Sequence, residues 1–194
     1  MKPLKIFIIG YTKVGKSTLS NILQKKLEND FKCKYISASE YFKQYFPNPP
    51  SDPKEHKKYV NEITEFSLKK LQKDPFCNAK YLKKKIKKIK DTDIIILDGI
   101  RNPNDFNKLF NIKRDIVIFL KHKDISASTY FEEFGVKAIK KKIIFDYYNY
   151  LIPYKNVFNE TLNSDDFIKL QIELEELSEK VKKELKRKQD ANTL

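Results

Sequence analysis

Gly10-Tyr11-Thr12-Lys13-Val14-Gly15-Lys16-Ser17 places two glycines, a lysine and a hydroxyl at the spacing G-x-x-x-x-G-K-[ST]. Each residue type has a chemical task. Glycine lets the backbone turn until successive N–H groups, those of Lys13 and Val14 among them, converge on phosphate oxygens. The helix that follows adds the positive end of its dipole. Lys16 brings a cation to bridge β- and γ-phosphates, and Ser17 offers its hydroxyl to Mg²⁺. Thr18 adds a contact to the α-phosphate at the helix start. Two of only four glycines in 194 residues lie in this loop, so composition does not produce it by chance. The expected cofactors are ATP, or GTP in its place, and Mg²⁺.

A second cluster follows in Ile94-Ile95-Ile96-Leu97-Asp98-Gly99-Ile100-Arg101-Asn102-Pro103-Asn104-Asp105. A carboxylate ending a buried strand beside a phosphate loop is placed to hold Mg²⁺ through water, which gives Asp98 a metal role. Gly99 permits close approach of another group. Arg101 can fork onto a phosphate oxygen as lysine cannot, and the chain has only two other arginines, Arg114 and Arg187. Lys16, Asp98 and Arg101 are therefore the candidate catalytic residues.

These groups need strands that end at one edge and helices that begin there. Lys5–Ile9 is a short apolar strand, and Leu19, Ile22, Leu23 and Leu27 mark a helix from Lys16 to about Asn29. Lys34–Ser37 reads as a second strand and Ser39–Phe46 as a short helix. Asn48-Pro49-Pro50-Ser51-Asp52-Pro53 breaks the chain before helices running to about Gln72 and over Cys77–Ile89. Asp93–Leu97 and Asp115–Leu120 are continuous apolar runs of the kind buried on both sheet faces, with a short helix at Asp105–Phe110 between them. Ser126–Phe134 and Val136–Tyr150 read as helices, Val157–Phe158 as a short last strand, and Asp165–Gln189 as a charged amphipathic helix. The alternation predicts an α/β fold in three layers, α/β/α. Its parallel five-stranded sheet has helices on both faces, within a single domain over residues 1–194.

With both clusters in view, the chain resembles the P-loop nucleoside monophosphate kinases, whose corresponding segment reads D-G-x-x-R. It is closer to the phage-type deoxynucleoside monophosphate kinases and dephospho-coenzyme A kinase relatives, with segments such as D-x-R-x-P-N-E or D-G-I-R. The resemblance implies the P-loop NTPase fold, ATP and Mg²⁺ as cofactors, and a small phosphorylated acceptor, foremost a (deoxy)nucleoside monophosphate. It implies an acceptor-binding arm over about residues 38–90, with Ser39 capping its first helix, Tyr41 or Phe42 stacking on a base, and Arg101 on the acceptor phosphate. His56 and Tyr59 are weaker candidates there. It also implies a lid over about 121–150, where Lys137, Lys140, Lys141 and Lys142 stand in place of the usual arginines. Asn159 falls in a segment that touches adenine in relatives. An acceptor phosphate is already nucleophilic, which accounts for the lack of an evident activated histidine. A dephospho-coenzyme A-type or other metabolite kinase and a nucleic-acid 5′-end kinase are the alternatives.

Other classes fit poorly. A GTPase switch would carry D-x-x-G and N-K-x-D, whereas Asp98 is followed at once by Gly99, and Lys121-His122-Lys123-Asp124 lacks the N-K pair. The net charge of +14 attracts polyanions, but nearly all the basic residues are lysines spread along the chain, a solvated surface rather than a nucleic-acid interface. No apolar run approaches the ~18 residues of a membrane span. Cys33 and Cys77, without metal-ligand spacing, suggest a reduced, cytoplasmic setting. Leu170, Leu174, Leu177, Val181 and Leu185 recur at near-heptad spacing. They suit a helix laid on the sheet, in a monomer, or a self-associating pair in a homodimer.

Overall fold

A computed structural model describes residues 2–10, 14–46, 48–100, 102–111, 113–123 and 160–190. Five strands, β1 (Leu4–Gly10), β2 (Cys33–Ser37), β3 (Ile94–Asp98), β4 (Ile116–Lys121) and β5 (Glu160–Asn163), form one sheet in the order β2-β3-β1-β4-β5. Every neighbouring pair is parallel. All seven residues of β1 and all five of β3 are buried, as expected of strands covered on both faces.

The two faces have separate cores. Leu4, Ile6, Ile8, Ile94, Ile96, Ile118 and Leu120 pack under α1 (Lys16–Leu27) and the C-terminal helix α6 (Phe167–Asp190). Phe7, Ile9, Ile36, Ile95, Leu97 and Val117 pack on the other side under α4 (Cys77–Lys88) and α5 (Pro103–Leu109). The alternation along each strand is the period-two pleat, apolar on both sides. Leu170, Leu174, Leu177, Val181 and Leu185 all lie in the first core, so the near-heptad stripe serves the helix-on-sheet contact within the chain. No helix among the described residues is long and apolar enough to cross a membrane.

Between β2 and α4 lie α2 (Glu40–Lys43) and α3 (Pro53–Lys73). The breaker loop starts α3: the Asp52 carboxylate accepts the N–H groups of Lys54 and Glu55, both at 2.9 Å, and Pro53 takes the first turn, where its missing N–H costs nothing. Asn102 and Pro103 repeat the device, so α5 begins at Pro103 and not at the expected Asp105. The expected helix Ser39–Phe46 shortens to Glu40–Lys43, with turns on either side. The fifth strand is described over Glu160–Asn163, where a lone Leu162 between polar neighbours gives little strand signal. The helices expected at 126–134 and 136–150, and residues 157–158, lie outside the described residues.

A buried ion pair ties the start of β1 to the approach to β4. Lys5 Nζ lies 2.6 Å from Asp115 Oδ2 and also donates to the Leu109 carbonyl. Asp115 further accepts from the Asn111 N–H at 2.8 Å and from Arg114 Nε at 3.1 Å. Burial holds the Lys5 ammonium below its ordinary pKa, against the pull of Asp115.

Candidate active site at the strand ends

The glycine-rich loop lies where the parallel strands end, the edge at which open α/β sheets bind ligands. Gly10 closes β1 opposite Leu120 of β4. A Cβ on Gly10 would stand 2.4 Å from the Leu120 carbonyl oxygen and 3.0 Å from Val14 Cγ2, so the start of the loop is fitted to a bare backbone. Val14 turns its side chain into the core, which leaves only its main chain for a ligand. Gly15 precedes the first residue of α1 with φ 90° and ψ 18°, a left-handed conformation that favours glycine. The first turn of α1 has no acidic residue, no side chain caps it, and it carries Lys16, Ser17 and Thr18. The positive end of its dipole therefore favours an anion here.

Asp98 ends β3 and is only 3 % exposed. Ser17 Oγ donates to Asp98 Oδ2 at 2.9 Å, joining two residues that stand 81 apart in the chain. A hydroxyl that gives its one proton to a carboxylate keeps its lone pairs for a cation, and both groups are hard oxygen donors. The residues present therefore fit Mg²⁺.

Tyr35 is the site residue that motif reading misses. Burial pushes its phenol up to about 12, reinforced by the neighbouring Asp98 carboxylate, while Ser37 and Ser17 oppose the shift. The strand register accounts for the meeting: Tyr35 pairs with Ile96 and Ser37 with Asp98, so all four project from one face, toward α1. The backbone adds a further tie, with the Ala38 N–H donating to the Asp98 carbonyl at 2.8 Å.

Beyond β2 the arm is aromatic. Tyr41 has ring centroids of Phe42 at 4.9 Å, Tyr81 at 5.2 Å and Tyr45 at 5.9 Å. Burial pushes its phenol up to about 12, with help from Tyr45 and Cys77. Phe42 is buried, so it packs the arm and presents no open face to a base. Ser39 stands at the N-cap of α2, but the expected cap bond is not made: its αR backbone and its hydroxyl, 2.9 Å from Ser37 Oγ, turn the side chain toward β2. Glu40 pairs with Lys85 and so joins α2 to α4. Tyr59 meets Phe46 at 6.1 Å and His56 at 6.2 Å. Lys13, Arg101, Lys137, Lys140, Lys141, Lys142 and Asn159 lie outside the described residues.

Asp105, on α5, is 2 % exposed and accepts from Asn78 Nδ2 of α4 at 2.7 Å. Burial pushes its carboxyl up to about 6, against the hydrogen bonds from Asn78 and the Ala79 N–H. Asp105 Oδ1 and Asn78 Oδ1 make no hydrogen bond.

In sequence, residues 6–127, from β1 through both clusters to the end of β4, match the AAA domain family. The chain belongs to that family. No curated protein sequence matches this AAA domain. Among solved structures it resembles deoxyadenosine kinase from M. mycoides with bound dATP, at 16% identity and TM-score 0.50, covering 92% of this chain and 100% of that one. Shikimate kinase from Aquifex aeolicus aligns at 16% identity and TM-score 0.45, covering 95% and 98%. A gluconokinase from Sinorhizobium meliloti aligns at 10% and 0.48, covering 94% and 98%. The AAA domain thus has the three-layer fold of the P-loop kinases. Its predicted donor-side residues Gly10, Val14, Gly15, Lys16, Ser17 and Thr18 gather at one sheet edge with Asp98.

Proposed function

We propose that this protein is an ATP- and Mg²⁺-dependent kinase that transfers the γ-phosphoryl group to a small phosphorylated acceptor, a nucleoside monophosphate. The observation that carries the reading is the 2.9 Å bond from Ser17 to buried Asp98, which joins the phosphate loop to the end of β3. Backbone N–H groups at the start of α1 cradle the phosphates, and Lys16 brings its ammonium to the transferring group. Ser17 and Asp98 are the residues that would hold Mg²⁺, directly and through water. When bound, the cation neutralises charge on the β- and γ-phosphates. The acceptor phosphate attacks through its own oxygen, so no covalent enzyme intermediate or strong base is needed. Asp98 also orients that oxygen.

On the acceptor side the reading rests on the D-G-I-R-N-P segment, which gives Arg101 the acceptor phosphate, and on the aromatic arm around Tyr41. The expected lid lysines Lys137, Lys140 and Lys141 and the adenine contact at Asn159 complete the proposal from sequence. Arg101→Lys then impairs acceptor use more than ATP binding, because the fork is lost while the charge stays.

The test is ADP release with Mg·ATP against a panel of nucleoside monophosphates, dephospho-coenzyme A and 5′-hydroxyl oligonucleotides at ~0.15 M salt. Turnover with free monophosphates is expected, with no stimulation by nucleic acid. Transfer to oligonucleotides alone would overturn this reading in favour of an end kinase, and transfer only to dephospho-coenzyme A would overturn the nucleoside monophosphate acceptor.

A further inference from the structure

Lysine is common along the whole sequence, but the helices do not carry it alike. α3 sets three glutamates among its six lysines, and α6 sets six carboxylates against seven basic residues. α4 has six lysines in twelve residues and no carboxylate; Asp74 and Asp91 lie beyond its two ends. A bias of composition would load every helix in the same way, so α4 needs its own account. Two of its lysines are occupied: Lys80 lies 2.7 Å from Asp74, and Lys85 pairs with Glu40. Lys83, Lys84, Lys87 and Lys88 are exposed, and among the described residues their ammonium groups have no ion pair or hydrogen bond. The negative end of the helix dipole accounts for lysine in the last turn, where Lys85, Lys87 and Lys88 stand, but not for Lys83 and Lys84 in the middle.

Lys83 with Lys87 and Lys84 with Lys88 are like-charged pairs four residues apart, an arrangement that by itself weakens a helix. At 3.6 residues per turn they make two rows about 100° apart around the axis. The rows point away from Ala79 and Leu82, which are buried against the sheet. Two rows of cations splayed from one ridge match a concave partner with negative charge on both walls. A flat lipid surface meets only the crest of such a ridge, and no large apolar side chain of α4 stands exposed to enter it. A nucleic-acid duplex has phosphates along both walls of its groove. The major groove of B-form DNA, ~12 Å wide, takes a helix, whereas that of A-form RNA is too deep and narrow.

We propose that the outer face of α4 is a docking surface for double-stranded DNA, with Lys83 and Lys87 on the phosphates of one strand and Lys84 and Lys88 on those of the other. Lysine brings charge without a fork, so the contacts are to backbone and not to base edges, and binding is independent of base sequence. α4 packs on the sheet face opposite α1, so the surface is separate from the phosphate loop and does not rest on the nucleotide reading. It supplies no acceptor.

The experiment is fluorescence anisotropy of a short labelled DNA duplex of mixed sequence, titrated with the full chain over ~50–200 mM salt. The test variant is Lys83→Gln, Lys84→Gln, Lys87→Gln and Lys88→Gln together. Its control carries Lys54→Gln, Lys58→Gln, Lys69→Gln and Lys73→Gln at exposed positions of α3, and each variant lowers the net charge of +14 by four. Four phosphate contacts contribute ~3–4 to the slope of log affinity against log salt, so the α4 variant should lose that much slope and at least ~10-fold in affinity at ~50 mM salt. The α3 variant should keep its slope to within about one, and both should melt with the wild type. Equal losses in the two variants would overturn the proposal and return the charge to a diffuse field. So would wild-type protein that fails to bind the duplex at ~50 mM salt, binds an RNA duplex more tightly, or prefers phosphatidylserine vesicles.

Discussion

Gly10→Ala should destabilise the fold more than Gly99→Ala, although Gly99 has the plainer positive φ, +72°. At Gly10 the added Cβ stands 2.4 Å from the Leu120 carbonyl oxygen, about 1 Å inside the 3.4 Å at which ordinary contact begins. That oxygen belongs to the β1–β4 ladder, in which Gly10 pairs with Leu120, so it cannot rotate away as a side chain does. The second contact, 3.0 Å to Val14 Cγ2, is with a buried core residue that turns the loop. Overpacking of this kind costs ~3 kcal/mol, and the lower unfolded-state entropy of alanine returns ~0.5–1 kcal/mol. The net loss is ~2 kcal/mol, a fall of ~4–8 °C in midpoint for a chain of this size. A Cβ on Gly99 meets nothing within 4 Å and carries only the left-handed backbone cost, ~1 kcal/mol. Chemical denaturation and thermal melts of both variants make the comparison, and ATP affinity of Gly10→Ala should fall as well because the start of the loop shifts. A Gly10→Ala variant as stable as wild type, or one less damaged than Gly99→Ala, would refute the reasoning.

Lys16→Met keeps the aliphatic stem of a residue only 9 % exposed, so its melt should match wild type while ATP affinity falls at least ~10-fold by equilibrium dialysis. Asp105 has its folded pKa raised from 3.8 to about 6, so its contribution to stability is fully present below about pH 4 and is lost as pH rises through 6. Asp105→Asn removes the buried charge and offers an N–H beside the unpaired Asn78 Oδ1; urea melts should show it more stable by ~1–3 kcal/mol at pH 7.5, the difference shrinking toward pH 4. Lys5→Met leaves Asp115 buried with only its Asn111 and Arg114 partners and should cost ~3 kcal/mol, much of it recovered when Asp115→Leu is added. A double-mutant cycle in denaturant measures that recovery.

The donor half of the site was legible because its chemistry demands particular residues at fixed spacing. Gly10, Gly15, Lys16 and Ser17 identify the loop, and Asp98 follows from four apolar residues that end in a carboxylate. The all-parallel sheet followed from the same apolar runs, though α5 began earlier than periodicity alone suggested. Tyr35 was invisible for a physical reason: its place near Asp98 comes from strand register, and nothing local tells a chain that residue 35 will lie beside residue 96. Ser39 was misread for a related reason. It occupies the N-cap position, but a nearer hydroxyl on Ser37 competes for its side chain. Asp105 looked like a helix start, whereas Asn102 does that work and Asp105 faces α4.

The strand order also dictates a sequence of events during synthesis. β1 and β2 are consecutive in the chain yet never touch; each pairs with β3, which lies between them. Until Ile94–Asp98 has left the ribosome, neither of the first two strands has the neighbour it will keep, and the apolar run of β1 has no sheet to join. Local helices α1, α3 and α4 can form in that interval, but the sheet must wait for a contact distant in sequence, the slow kind. When β3 inserts, it closes both pairings and brings Asp98 to Ser17 in the same step. A nascent chain halted before residue 94 should remain protease-sensitive and unable to hold nucleotide, and one released after α6 should gain protease resistance and nucleotide binding together.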